Sequence, residues 1–304
     1  MKPDLSVNIA GIIMQNPVMN AAGTFDVESE PARALTPIER MGAFVQKSIT
    51  LNPREGNPQP RIYETPAGMI NRIGLQNVGV WKFVEEKLAV IYRLLPSNVP
   101  LIVSVAGESM EEYLETALIL AENSKKMIAA LEINVSCPNV ADGLVFGSDP
   151  DLLFKLVRGL KSKVTTLPLI IKLTPNVTDI TLAVKAAAEG GADALSLINT
   201  LKAKAFIRRG PNAGQFIEGG LSGPAIRAVA LERVDKAVKA VDIPVVGMGG
   251  ISNFEDALDF FRVGAAAIAV GTAIFSNPLA IANIVEGLEQ HLTKRGYSNI
   301  AELK

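Results

Sequence analysis

Short apolar runs alternate along the chain with longer segments whose apolar residues recur at helical spacing. The runs cover residues 18–20, 43–47, 101–105, 131–135, 169–173, 194–198, 244–247 and 267–270. Most are apolar throughout, as strands buried on both faces should be. The helical patterns cover 110–123, 152–164, 177–189, 225–241, 254–263 and 279–292. Ser252-Asn253 ahead of Phe254, with Gly264 behind, predicts the two ends of one helix. Asp149-Pro150 predicts the start of another. Eight strands separated by helices predict an α/β fold, a (β/α)8 TIM barrel. A doubly wound open sheet carries its glycine-rich turn after the first strand, and none stands there. Residues 5–14, with Gly11 between two short runs, predict an N-terminal hairpin closing the barrel bottom. No linker or charge block interrupts the pattern, so residues 1–304 are read as a single domain.

Composition narrows the chemistry. The chain has 304 residues, 48% of them apolar, enough for a sizeable core. Its 30 basic and 31 acidic side chains leave a net charge of -1, which gives no reason to expect nucleic acid. No apolar run approaches the roughly 18 residues that span a membrane. Met1 leads almost at once into a strand-like stretch, so no signal peptide and a cytoplasmic location are expected. The one cysteine, Cys137, and the one histidine, His291, exclude histidine triads, multi-histidine metal sites and self-contained cysteine clusters. No metal site is predicted. Chemistry must come from Cys, Lys, Asn, carboxylates or a borrowed cofactor.

Barrel active sites are built at the C-terminal strand ends. Three connections there exceed simple turns: long βα loops over 50–78 and 201–220, and a shorter one over 138–149. The first strand runs into Ala21-Ala22-Gly23-Thr24, small residues that let a ligand approach the backbone. The second ends at Lys47-Ser48 and the fifth at Lys172. One such lysine is a snorkelling rim residue as readily as a ligand. Two at interior strand ends suggest fixed positive charge for an anionic substrate or an electron-rich cofactor. The fourth strand ends in Asn134-Val135-Ser136-Cys137-Pro138-Asn139. A lone cysteine is often only a small buried hydrophobe. In a polar loop after a strand it is a candidate general base or nucleophile. Asn199-Thr200 ends the sixth strand, and Asn71 lies in the first long loop. Asparagine amides pair donor with acceptor, which suits a planar ring of alternating N–H and C=O groups.

Glycines cluster late, at 219–223, 247–250 and 271. The last two groups follow strands seven and eight, where barrels commonly bind phosphate. Gly247-Met248-Gly249-Gly250 lacks the context and spacing of a dinucleotide fingerprint. The residues alone thus point to a barrel with a late phosphate site, interior lysines and an amide-lined pocket. Flavin mononucleotide fits that set, and so does a flavin-free phosphate-binding lyase or isomerase.

Certain motifs are more specific in combination. Residues 134–139, Asn71-Arg72-Ile73-Gly74-Leu75-Gln76-Asn77 and Gly219 to Gly223 with Pro224-Ala225-Ile226 resemble the dihydroorotate dehydrogenases. So do Asn16-Pro17-Val18, Pro58-Gln59-Pro60-Arg61 and Glu64-Thr65-Pro66. The resemblance covers nearly the whole chain. It implies an FMN-containing oxidoreductase that converts dihydroorotate to orotate in pyrimidine biosynthesis. Cysteine at the base position separates it from the membrane-associated class, which uses serine. Residues 73–77 and 220–224 are more similar to the NAD-linked type than to the fumarate-using homodimer. The resemblance then implies a homodimer joined by a second subunit carrying FAD and a [2Fe–2S] cluster, together a heterotetramer.

By the same resemblance, Cys137 would remove the C5 proton. Lys47, Asn71, Arg72, Ile73, Gly74, Leu75, Asn134, Asn199 and Thr200 would bind the substrate. Thr24, Lys47, Ser48, Ser104, Asn134, Lys172, Ile198, Gly223, Gly249, Gly250, Gly271 and Thr272 would contact FMN, Lys172 near N1–C2. Departures from the family pattern are Ala22, Asp26, Arg72 and Ser104, the last where asparagine is usual. Residues 201–218 match poorly, and Arg208 and Arg209 there read as a solvated loop or a partner contact.

Overall fold

The structure, a computed structural model, describes residues 3–136 and 146–303. Cys137 and most of the 138–149 connection lie outside the described residues. The strands in chain order are β1 (Val7–Ile9), β2 (Ile12–Met14), β3 (Val18–Asn20), β4 (Phe44–Ile49), β5 (Ile62–Thr65), β6 (Gly68–Asn71) and β7 (Leu101–Val105). They continue with β8 (Ile128–Asn134), β9 (Leu169–Lys172), β10 (Ala194–Leu197), β11 (Leu201–Phe206), β12 (Phe216–Ser222), β13 (Val245–Met248) and β14 (Ala267–Val270).

Eight of these form one parallel sheet in the order β3-β14-β13-β10-β9-β8-β7-β4. The two ends meet. Met19 bridges Ala43, and the Gly42 N–H donates to the Val18 carbonyl at 2.7 Å. The fully buried Asn20 completes the seam with its side chain. Its Nδ2 donates to the Val45 carbonyl (2.9 Å), and its Oδ1 accepts from the Val45 N–H (2.8 Å). A side-chain amide thus stands in for a strand ladder and closes the predicted (β/α)8 barrel.

The period-two alternation of each strand sends its residues to two cores. Outward residues such as Leu101, Val103, Ile133, Ile171 and Leu195 pack under the helices in one continuous cluster. Inward residues Met19, Val45, Ile102, Ala130, Ile170, Ala194, Val246 and Ala267 fill the lower barrel. The antiparallel β1–β2 hairpin plugs that end with Ile9, Ile12 and Met14. Each such side chain contributes about 1.5–3 kcal/mol on burial. Above this apolar floor the inward positions turn polar: Ser104, Glu132, Lys172 and Ser196, all buried.

Helix ends follow their capping residues. Asp149 accepts from Asp151 N–H and Leu152 N–H, so that helix begins at Pro150, the entry that Asp149-Pro150 predicts. Asp179 caps the next through Thr181 N–H, starting it at Ile180 rather than 177. Asn253 caps Phe254–Arg262 as predicted, with Gly264 at φ +97° just beyond. The predicted 225–241 helix divides into a 3-10 turn, Pro224–Ile226, and a helix, Arg227–Ala240.

The main correction concerns the long connections. Residues 50–78 and 201–220 are not merely loops. They supply β5, β6, β11 and β12, which join as a four-stranded antiparallel sheet in the order β11-β12-β6-β5. Ile70, Ile207 and Ile217 give it a small core of its own. The β12–β6 pairing aligns Gly220 with Asn71 and Ser222 with Met69. Arg208 and Arg209 lie exposed after β11. The strand expected to end at Lys47 runs on to Ile49, with a shift in register between Gln46 and Ile49.

Candidate active site

The C-terminal strand ends and the antiparallel sheet enclose a cavity of about 1630 Å³. That exceeds the roughly 300–1,000 Å³ typical of a single ligand pocket. Among the described residues, every predicted site residue except Ser104 lines it. Ser104 does not: it is fully buried, its Oγ 2.8 Å from that of Ser48, which reaches the wall in its place. Cys137 lies outside the described residues, while its neighbours Asn134 and Ser136 line the cavity.

The asparagines converge. Asn199 Nδ2 donates to Asn134 Oδ1 at 3.0 Å, and the same oxygen accepts from the Ser136 N–H at 3.3 Å. Asn199 Oδ1 accepts from the Thr200 N–H at 2.8 Å. The Asn134 carbonyl is anchored from behind by the Tyr113 hydroxyl at 2.6 Å. Across the cavity, Asn71 Nδ2 donates to the Gly220 carbonyl at 3.1 Å, tying the site edge of β6 to β12. These fixed amides suit a planar heterocycle.

Residues 54–61 and 71–77 brace one another. Asn57 N–H donates to the Ile73 carbonyl and Asn57 Nδ2 to the Arg72 carbonyl, both at 2.9 Å. Arg61 donates to the Glu55 carbonyl (2.9 Å) and to Gln76 Oε1 (2.8 Å). The backbone of Ile73, Gly74 and Leu75 is held at the cavity wall by this clasp, with Gly74 and Leu75 both at positive φ. Arg61 was not singled out as a site residue. Its signal was the guanidinium closing the Pro58-Gln59-Pro60-Arg61 motif.

Lys47 is half-buried in the same wall. Burial pushes its ammonium below the usual lysine range, the Arg61 charge adds to that, and Asp26 opposes it. A partly desolvated cation of this kind gains from an anionic ligand.

At the barrel floor Lys172 Nζ lies 3.3 Å from Glu132 Oε1. Ser196 Oγ donates to Glu132 Oε2 at 3.1 Å. Lys172 lines the cavity, whereas Glu132 lies behind it. Glu132 was not anticipated. Its signal was one carboxylate inside an otherwise apolar strand, on the same face as Asn134.

At the opposite wall the residues are small. A Cβ on Gly249 would lie 2.6 Å from Ala230 Cβ, and one on Gly250 2.7 Å from Arg227 Cβ. Both have positive φ, so the backbone itself forms the rim. A Cβ on Gly271 would meet only Ala21 and Thr24, at 3.5 and 3.7 Å, and would protrude into the cavity. Thr272 Oγ1 donates to Ser222 Oγ at 2.7 Å. Backbone edges and hydroxyls after strands β13 and β14 suit the phosphate of FMN, and the Lys172 cation on the cavity floor suits its N1–C2 end. The donor set fits that group.

The dihydroorotate dehydrogenase family model matches residues 4–292. A relative in Citrifermentans bemidjiense, the catalytic subunit of dihydroorotate dehydrogenase B (NAD+), is 48% identical over 99% of this chain and 97% of its own. Relatives with the same name in Desulforudis audaxviator and Pelobacter propionicus are 49% and 47% identical over all of this chain and 97% and 98% of theirs.

Proposed function

This chain belongs to the dihydroorotate dehydrogenase family, and we propose that it is the catalytic subunit of an NAD-linked enzyme oxidising dihydroorotate to orotate in pyrimidine biosynthesis. The observation that carries the reading is the meeting of Lys47 with Asn71, Asn134 and Asn199 around one cavity. A carboxylate beside a ring of alternating amide N–H and C=O groups needs that combination.

The chain's own residues divide the work. Lys47 holds the substrate carboxylate. Asn71, Asn134, Asn199 and Thr200, with the backbone from Arg72 to Leu75, orient the ring. Cys137 takes the proton from C5. FMN, when bound, supplies the acceptor for the hydride leaving C6. Thr24, Ser48, Ile198, Gly223, Gly249, Gly250, Gly271 and Thr272 would hold the cofactor, and Lys172 would supply positive charge toward its N1–C2 end.

A partner subunit completes the electron path. The relatives' name, catalytic subunit, supports one. One cysteine cannot supply the four thiolates of a [2Fe–2S] cluster, so the proposal places that cluster, together with FAD, in the partner. The assembly proposed is a homodimer of this chain with two such partners, in the cytoplasm. No helix among the described residues is long and apolar enough to cross a membrane.

The test is an anaerobic absorbance spectrum of the purified chain before and after dihydroorotate. A yellow protein that bleaches is the expected result. Yellow without bleaching rejects the substrate and keeps the flavin. A colourless chain that FMN does not reconstitute rejects the flavin assignment.

A further inference from the structure

The barrel interior carries, among the described residues, an ion pair whose purpose the substrate chemistry leaves unexplained. Lys172 and Glu132 are 6% and 3% exposed, with Nζ 3.3 Å from Oε1. The strand register places Asn134 and Ser196 beside Lys172, at the level of the cavity floor. Glu132 lies one inward step lower, level with Ile170 and Ser104 in the register, with Ala130 and Ile102 beneath it. Its carboxylate meets two polar groups among the described residues, Lys172 Nζ and Ser196 Oγ. The cavity therefore faces a cation backed directly by an anion.

Stability does not account for this pair. Replacing a buried ion pair with apolar side chains of similar volume is often neutral or stabilising.

We propose that Glu132 is a positioning residue that sets the flavin reduction potential by damping the charge of Lys172. The proposal rests on the FMN reading above. Two-electron reduction by hydride adds negative charge at the N1–C2 end of the ring, and a nearby cation stabilises it. A lone buried cation would do so strongly, because the low dielectric magnifies its field. Pairing with Glu132 reduces that monopole to a short dipole. The reduced flavin is then less stabilised and remains a stronger reductant. A chain that must pass two electrons onward toward NAD+, a weak oxidant, needs such a flavin. Ser196 fixes the carboxylate so that both charges stay aligned beneath the ring.

The experiment is an anaerobic redox titration of the flavin-loaded chain against a reference dye. Glu132→Gln keeps the shape and removes the charge. The reduced form should gain at least tenfold over the oxidised form, about 30 mV upward for a two-electron couple. Glu132→Asp, which keeps the charge, should stay nearer the wild-type potential. An unchanged or lowered potential in Glu132→Gln overturns the proposal. Lys172→Met combined with Glu132→Leu removes both charges with side chains of similar size. Its potential should stay within about 30 mV of wild type, a tenfold window, while Lys172→Met alone falls further. A double variant that falls as far as Lys172→Met alone also overturns it. These outcomes are read on yellow protein, so they stand apart from failure of the wild-type chain to bind flavin, which overturns the FMN reading and this one together.

Discussion

Asn199 donates its side-chain amide to Asn134 Oδ1, 3.0 Å away, so two strands separated in the barrel by β9 share one recognition unit. The bond fixes which end of each amide faces the cavity. Asn134 Oδ1 is already occupied, also by the Ser136 N–H, which leaves its NH₂ group for a ring carbonyl. Asn199→Ala removes one ring contact and frees the other amide to rotate. The expected loss in kcat/KM is roughly 10- to 100-fold, or about 1.4–2.8 kcal/mol. Flavin content should be unchanged. Steady-state kinetics normalised to flavin absorbance check both.

The depressed ammonium of Lys47 sets an alkaline limit on substrate binding. Its charge is needed to hold a carboxylate and is lost as pH rises through the lowered value. KM should therefore climb at lower pH than an ordinary lysine would give. Arg61 is one cause of the depression, after burial. Arg61→Gln removes that like charge, so the alkaline limb should move upward. The same substitution loosens the clasp on residues 73–75 and should raise KM at every pH. A profile of KM against pH for both proteins separates the two effects.

The barrel was legible because its strands are buried on both faces and read as apolar runs, while capping residues marked several helix ends. The antiparallel sheet was not legible as one unit, because its pairings cross long distances. Gly220 meets Asn71, far back in the chain. Its strands also look like loops. Gly219 and Gly220 lie in β12, and they are glycines because a Cβ would strike the Asn71 carbonyl at one position and the Thr200 side chain at the other. A local signal did exist in Leu201-Lys202-Ala203-Lys204-Ala205-Phe206, which alternates half-buried and exposed positions through the whole of β11. The lysines and asparagines of the site were legible as polar residues ending apolar strands. Glu132 was not, because it lies inside its strand and acts through Lys172.

The hairpin plug should be separable from the chemistry. Met14 is fully buried against the lower barrel, at the end opposite the cavity. Met14→Ala should cost about 2–5 kcal/mol of stability through the cavity it leaves. Denaturant unfolding should report that loss. Flavin spectrum and turnover at moderate temperature should stay as in the parent.

Cys137 is assigned the C5 proton, and a thiol does that work only as thiolate. A serine hydroxyl in its place ionises far less readily, so the base form is scarce at neutral pH. Cys137→Ser should slow bleaching of the flavin by dihydroorotate and shift its rise with pH upward. Flavin content and substrate affinity should change little, because the role proposed for the thiol is proton removal and not holding FMN or the ring. Stopped-flow absorbance of the reductive half-reaction across pH measures this directly. An unchanged rate and profile would remove Cys137 from the mechanism and leave the C5 proton to a different group.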